Sequence, residues 1–292
     1  MKKKFNLIMI IMSVLFVIQA LPVMAGPTNL SADNIRYNTN TQKAYATGNV
    51  VITRDTAVLR GDTGEGNIGS SVFQVRGNVT GEFKEHNAAL KAGLVKYTKQ
   101  GEDGIVEAFE GVHLTREPSD RLNAAYIKWR TGSQDYTARG NVDGLISGKY
   151  INADEAGREG NKFWGINVRR YEDTIEKIAV AGKRVDGVLE NELILTLTAV
   201  GSVKIDTVDE QGLKTVITGE KLVYEKKLGT VVITGDPKAV RSDGKRMKAD
   251  KLILHESTND IEAVGNSNVF FEVEKKPTEE AAPAKNKRTK NK

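Results

Sequence analysis

The sequence predicts an all-β protein assembled from repeated antiparallel hairpins, and three observations carry that prediction. A short motif recurs along most of the chain, five times with one internal spacing. Inside each copy apolar residues alternate with polar ones, the two-residue period of a strand with one buried face. Helix signals are nearly absent from the 292 residues.

Each copy opens on a small residue, usually followed by an acid, and closes on a glycine that leads into an apolar residue. Ala32-Asp33-Asn34-Ile35-Arg36-Tyr37 leads to Gly48-Asn49-Val50, and Gly61-Asp62 leads to Gly77-Asn78-Val79. Ala124 runs through Ile127 and Trp129 to Gly140-Asn141-Val142, Gly219-Glu220 through Leu222 and Tyr224 to Gly235, and Ala249-Asp250 through Leu252 and Leu254 to Gly265-Asn266. In these five the opener and the glycine are 16 residues apart; in a sixth, from Ala92 through Val95 and Tyr97 to Gly111, the interval is three longer. Apolar residues three and five positions after the opener share one strand face. Turn-prone runs follow, such as Asn38-Thr39-Asn40-Thr41 and Thr131-Gly132-Ser133. A second strand returns to the glycine, which marks a bulge or bend. The next strand starts beyond it, as at Val50 and Ile52, or at Val203 and Ile205 after Gly201. The repeat lapses between about 143 and 190, where Tyr171–Ala181 reads equally as a short helix, an inserted strand or a seam between two halves.

Hairpins with one apolar stripe must bury that stripe against themselves, as barrels, jelly rolls and solenoids do. The closing glycines fall at uneven intervals of roughly 29 to 34 residues. A solenoid tends to keep one rung length, so paired antiparallel hairpins fit better.

At the N-terminus Lys2–Lys4 precede an apolar run from Leu7 to Ile18, then Ala20-Leu21-Pro22-Val23-Met24-Ala25. Basic, apolar, small is the order of a secretory signal cleaved after Ala25. The expected division is therefore signal peptide 1–25, β-domain 26–273 with a seam near 143–190, and a disordered charged tail 274–292. With no cysteine, an exported chain must rest on its core rather than on disulfides. Three of the 43 Lys and Arg lie in the signal and seven in the tail, leaving 33 against 35 acids in the body. That balance argues against nucleic acid as a partner.

Enzyme motifs are absent in substance. Gly64-Glu65-Gly66-Asn67-Ile68-Gly69 fits G-x-G-x-x-G, but an alternating strand, Ser71–Arg76, follows where a dinucleotide site needs a helix. Ser242 and Lys245 fit S-x-x-K without a partner motif. His86, His113 and His255 have no ligand spacing. Asp33, Asp62, Glu220 and Asp250 recur at one repeat position, which points to structure rather than to a catalytic pair. No enzyme activity, cofactor or metal is expected.

Ala-Asp-x-Ile-x-Tyr, a turn and Gly-Asn-Val together resemble the OstA-like module of the LptA family, over most of 28–142 and again roughly 193–272. The resemblance implies an open, twisted antiparallel β-jelly roll, one module or two end to end, in the periplasm. It implies lipopolysaccharide, through lipid A, as the ligand, with acyl chains sheltered by an apolar interior. It also implies partners: other Lpt-type jelly-roll modules stacked end to end between the inner and outer membranes. The first and last copies are well formed rather than polar caps, so their open edges predict strand addition and a head-to-tail homo-oligomer with Ile35 and Leu252 near the meeting edges. The expected lining is Ile35, Tyr37, Val50, Ile52, Val79, Val95, Tyr97, Ile127, Trp129, Val203, Ile205, Leu222, Tyr224, Leu252 and Leu254. Alternatives are an LptC-like component, for which the N-terminus stays as a membrane anchor, and a structural β-solenoid of the envelope that binds no lipid.

Overall fold

The structure, a computed structural model, describes residues 28–271 apart from 55, 85–86, 102, 131–132, 134, 147, 175–177, 191–192, 210 and 256–259. The expected signal peptide and charged tail lie outside the described residues. Twenty strands form, in order β1 (Thr28–Ser31), β2 (Asn34–Asn38), β3 (Lys43–Arg54), β4 (Ala57–Asn67), β5 (Val72–Phe83), β6 (Ala88–Gln100), β7 (Asp103–Arg116), β8 (Asp120–Arg130), β9 (Tyr136–Ile146), β10 (Lys149–Glu159), β11 (Lys162–Asp173), β12 (Ile178–Glu190), β13 (Leu193–Val208), β14 (Lys214–Glu225), β15 (Thr230–Thr234), β16 (Lys238–Arg241), β17 (Arg246–Lys248), β18 (Lys251–His255), β19 (Ile261–Val264) and β20 (Asn268–Phe270).

From β3 to β14 each strand pairs antiparallel with the one before and the one after it. Each also carries a register break near its middle, as between Thr47 and Val50 or between Val200 and Val203. The breaks line up across the sheet and fold it along a corner into two arms. At both ends the corner separates two short strands. Strands β1 and β2 pair with opposite halves of β3, while β15 and β16 pair with opposite halves of β14. Beyond that fork one arm continues through β18 and β19 and the other through β17 and β20. The result is a long trough, an open antiparallel jelly roll. Its alternating strand directions are not those of a parallel solenoid.

The corner explains the repeat. All seven closing glycines of the sequence pattern adopt left-handed backbone, from Gly48 at φ 75° to Gly265 at φ 74°. A second left-handed residue adjoins each: Asn49, Asn78, Glu110, Asn141, Ser202, Asp236 and Asn266. Glycine enters this region without penalty, and asparagine and aspartate more readily than other residues. Where an acid follows the opener, it sits across the ladder. Asn49 donates to Asp33 (2.9 Å), Asn78 to Asp62 (3.0 Å) and Asn266 to Asp250 (2.9 Å), each partner 16 residues away.

Inside the corner the openers face valines. Register pairs are Val50 with Gly61, Val79 with Ala92, Val112 with Ala124, Val142 with Ala153, and Val203 with Gly219. The five valines are at most 1% exposed. At a vertex two arms leave room for one branched side chain per pair, so bulky and small residues must alternate.

Residues 143–190 obey the same rule without its spacing. Asn167 donates to Asp154 at 2.7 Å from only 13 positions away, because the intervening hairpin is shorter. The described residues of Tyr171–Ala181 are the end of β11, Thr174 in a turn and the start of β12, and none of them is helical.

Gly111 isolates the conformational term, since its φ is 77° and a Cβ there would meet nothing within 4 Å. Gly111→Ala is expected to cost about 1–2 kcal/mol by urea unfolding, with Gly111→Asn recovering part of it. Gly61 has ordinary backbone, but a Cβ there would lie 2.5 Å from Val75 Cγ1. Gly61→Ala should therefore be relieved by Val75→Ala, whereas Gly111→Ala should not.

Candidate apolar trough

One arm bears the third and fifth residues after each opener. On β8 these are Ile127 (0% exposed) and Trp129 (3%), on β14 Leu222 and Tyr224, and on β18 Leu252 and Leu254, all buried. Val95 on β6 is buried and Tyr97 half-buried. On the other arm Val50, Val79, Val203 and Ile205 are buried and Ile52 half-buried. Eleven of the fifteen residues expected to line the interior are thus covered by neighbouring side chains.

Ile35 and Tyr37 differ, at 45% and 47% exposed. They lie opposite Ala46 and Ala44 on the inward face of β2. That face is uncovered because β2 pairs only with β3. The next inward residues along the arm, Gly64 and Gly66, add no side-chain bulk, although Phe73 lies over Gly66. At the opposite end Val269, which faces the partly buried Met247, is 52% exposed. The apolar interior therefore opens to solvent at both ends. Outward, Arg36 stacks over Tyr45 at 5.4 Å and Arg246 over Phe270 at 6.0 Å, so charge marks the outer surface of each end.

Two apolar clusters fill the trough, one centred on β5–β9 and the other on β12–β18, and Ile151 of β10 packs against both. Where they meet lies a cavity of about 50 Å³ bordered by Tyr136, Ile151, Ala156, Phe163, Val168 and Tyr171, among others. It is small beside the ~150 Å³ cavities that take up benzene, so an acyl chain can enter only if the arms part. Burial pushes the Tyr136 and Tyr171 phenols above their usual range.

The lining expected from sequence omitted two buried cations on β10, Lys149 (8% exposed) and Arg158 (5%). Had Ala153 been taken as an opener, Ala156 and Arg158 would have fallen at the third and fifth positions. The missing glycine before Asn167 concealed that copy.

The rejected enzyme motifs sit in ordinary places. Gly64–Gly69 ends β4 and enters a hairpin turn. Ser242 Oγ accepts from the Lys214 amide (3.1 Å) while Lys245 pairs with Asp243 (3.1 Å). His113 bonds Asn123 and His255 bonds Glu262; His86 lies outside the described residues. Among the described residues no group of three or more His, Cys, Asp or Glu is placed to hold a metal, and no helix is long and apolar enough to cross a membrane.

Fold and site together define a class: a two-armed antiparallel trough with an apolar interior open at both ends. No family model matches the chain, and no curated protein matches it. Among solved structures it is similar to LptH of Pseudomonas aeruginosa, described as the LptA-homologous periplasmic component of the lipopolysaccharide transport device. The identity is 9% and the TM-score 0.25, over 86% of this chain and 98% of that one. Similarity at that level carries no argument about function.

Proposed function

We propose that this chain is an exported periplasmic carrier of lipopolysaccharide, holding lipid A acyl chains between the two arms. In this reading it joins other trough modules end to end between the inner and outer membranes. One observation carries the proposal: the inward stripe is apolar along most of the trough, yet its terminal faces, at Ile35, Tyr37 and Val269, are left in water. A monomer gains nothing from exposing them, whereas burying acyl chains is worth roughly 0.8 kcal/mol per methylene.

A photo-crosslinking residue at Tyr37, Ile52 or Tyr224 should capture lipopolysaccharide. The same residue at Arg36, stacked outside on Tyr45, or at Lys204, bonded outside to Asp206 (2.9 Å), should not. Equal capture on both faces, or none, would sink the carrier reading. The packed interior supports a second reading, a structural β-scaffold that binds no lipid, and that reading predicts no capture at any site. An LptC-like role instead predicts an intact Met1 on N-terminal sequencing, where the carrier predicts Gly26.

A further inference from the structure

Met247 of β17 packs inward against the cluster centred on β12–β18, and Val269 of β20 lies opposite it. Strand alternation therefore turns Arg246, Lys248 and Phe270 outward. The register extends that outer row across the arm: Phe270 lies opposite Arg246, Arg246 opposite Val240, and Val240 opposite Val216. Val240 is 46% exposed, Phe270 48%, and Phe271, which follows it, 58%. Large apolar side chains thus stand in water on the outside of the trough, where the filling of its interior does not account for them.

Cations frame the row. Lys238 and Lys248 stand two residues along from Val240 and Arg246 on the same face, and Lys214 two residues before Val216. The acids within reach are outnumbered. Asp236 is shared by Lys238 (2.5 Å) and Lys248 (3.6 Å), and Asp206 by Lys204 (2.9 Å), Arg170 (3.7 Å) and Lys214 (3.8 Å). Arg246 stacks over Phe270 and pairs with no carboxylate among the described residues. The other arm has no such excess at this end. Its outer rows carry Lys221 and Lys251 against Glu225 and Glu262, around Val223, Val232 and Ile253. At the opposite end of the trough Arg36 stacks on Tyr45, but there Glu65 lies opposite Tyr45 in the register.

We propose that this outer face docks on an anionic membrane surface. Phe270 and Phe271 enter the boundary between headgroups and acyl chains, and Arg246, Lys238 and Lys248 meet the phosphates of anionic phospholipids. Aromatic rings gain by leaving water at that boundary, while long cationic side chains lay their stems in it and keep their charges among the phosphates. A soluble acidic partner would need the cations but not the two exposed rings. The free edge of β20 lies in the plane of the sheet and the patch stands on its face, so strand addition leaves the patch open. Docking holds for a carrier and for a scaffold alike, and its failure leaves both readings standing.

The chain beginning at Gly26, which retains every described strand, is the one to test. It should sediment with phosphatidylcholine vesicles that contain about a quarter phosphatidylglycerol, and not with phosphatidylcholine alone. Salt at about 1 M, where the screening length falls to ~3 Å, should release most of it. Arg246→Glu with Lys248→Glu should lower partitioning about tenfold or more. The same change of charge on the other arm, Lys221→Glu with Lys251→Glu, should lower it less than about threefold. The seven basic residues of 274–292 are common to both variants. Phe270→Ser with Phe271→Ser should lower it about fivefold. Thermal unfolding checks that each variant is folded. Where the serine pair frays β20, Phe270→Trp supplies a second readout. Lipid brominated on its acyl chains should quench the added indole, because Trp129 and Trp164 stand on β8 and β11. Equal losses from the two charge pairs would mean that net charge alone acts. Parental partitioning without the two rings, in a folded variant, would mean an acidic protein as the partner. Either result, or an indole that lipid does not quench, would overturn membrane docking.

Discussion

Trp129→Asp is expected to abolish cooperative folding of the half of the trough built on β5–β9. Trp129 is 3% exposed and belongs to the cluster formed with Val95, Ala108, Ile127, Tyr136 and Ala138. Removing a buried indole costs about 3–5 kcal/mol by itself. An uncompensated carboxylate in the same place adds several more. A domain with roughly 5–15 kcal/mol of total stability does not absorb both. Near-ultraviolet circular dichroism should show the loss, and lipid capture at Ile52 should fall with it. Trp129→Phe is the control. Because the indole N–H meets no acceptor, its loss removes no hydrogen bond, and the phenylalanine variant should stay folded with a modestly lowered midpoint. A parental unfolding curve for Trp129→Asp would mean that Trp129 is not in the core.

An intermolecular disulfide ladder is expected from the double variant Ile35→Cys, Ala263→Cys, against a background with no native cysteine. Strands β2 and β19 are the outermost strands of one arm, and β1 and β20 those of the other. Counting along either arm, strand direction alternates without a break. The last strand of one copy therefore runs antiparallel to the first strand of the next when copies stack head to tail. Both arms can continue the sheet at once, with main-chain hydrogen bonds across each junction. The contact is heterologous and unclosed, so it builds filaments rather than dimers. The apolar faces at Ile35, Tyr37 and Val269 would be covered in the process. Leu252, the edge point expected from sequence, lies on β18 with β19 outside it, so Ala263 is the correct partner. Non-reducing gels should show bands beyond the dimer for the double variant and none for either single variant. A monomer in sedimentation at every concentration, without crosslinking, would leave a carrier that acts alone.

The parts of the fold governed by local chemistry were legible in the chain. A glycine-asparagine pair that tolerates left-handed backbone, an acid 16 residues before the asparagine, and apolar residues at period two announce a bent antiparallel ladder wherever they occur. Each requirement is met by neighbouring residues or within a single hairpin, so none depends on contacts far apart in the chain. The middle of the chain lost the signal for an equally physical reason. The corner tolerates hairpins of different length, so Asp154 finds Asn167 after 13 residues, and Asn167 reaches left-handed backbone without a glycine before it.

Burial of the inward stripe was decided by tertiary structure alone. Ile35 and Ile127 hold the same place in their repeats, three residues after an alanine, yet one is 45% exposed and the other 0%. Alternation determines which face of a strand a residue occupies. Whether that face is covered depends on how many strands lie beyond it, and β2 stands at an end of the sheet where β8 has neighbours on both sides. The two cations of β10 follow the same logic. Composition marks Lys149 and Arg158 as surface residues, and only the closing of the two arms around β10 places them inside.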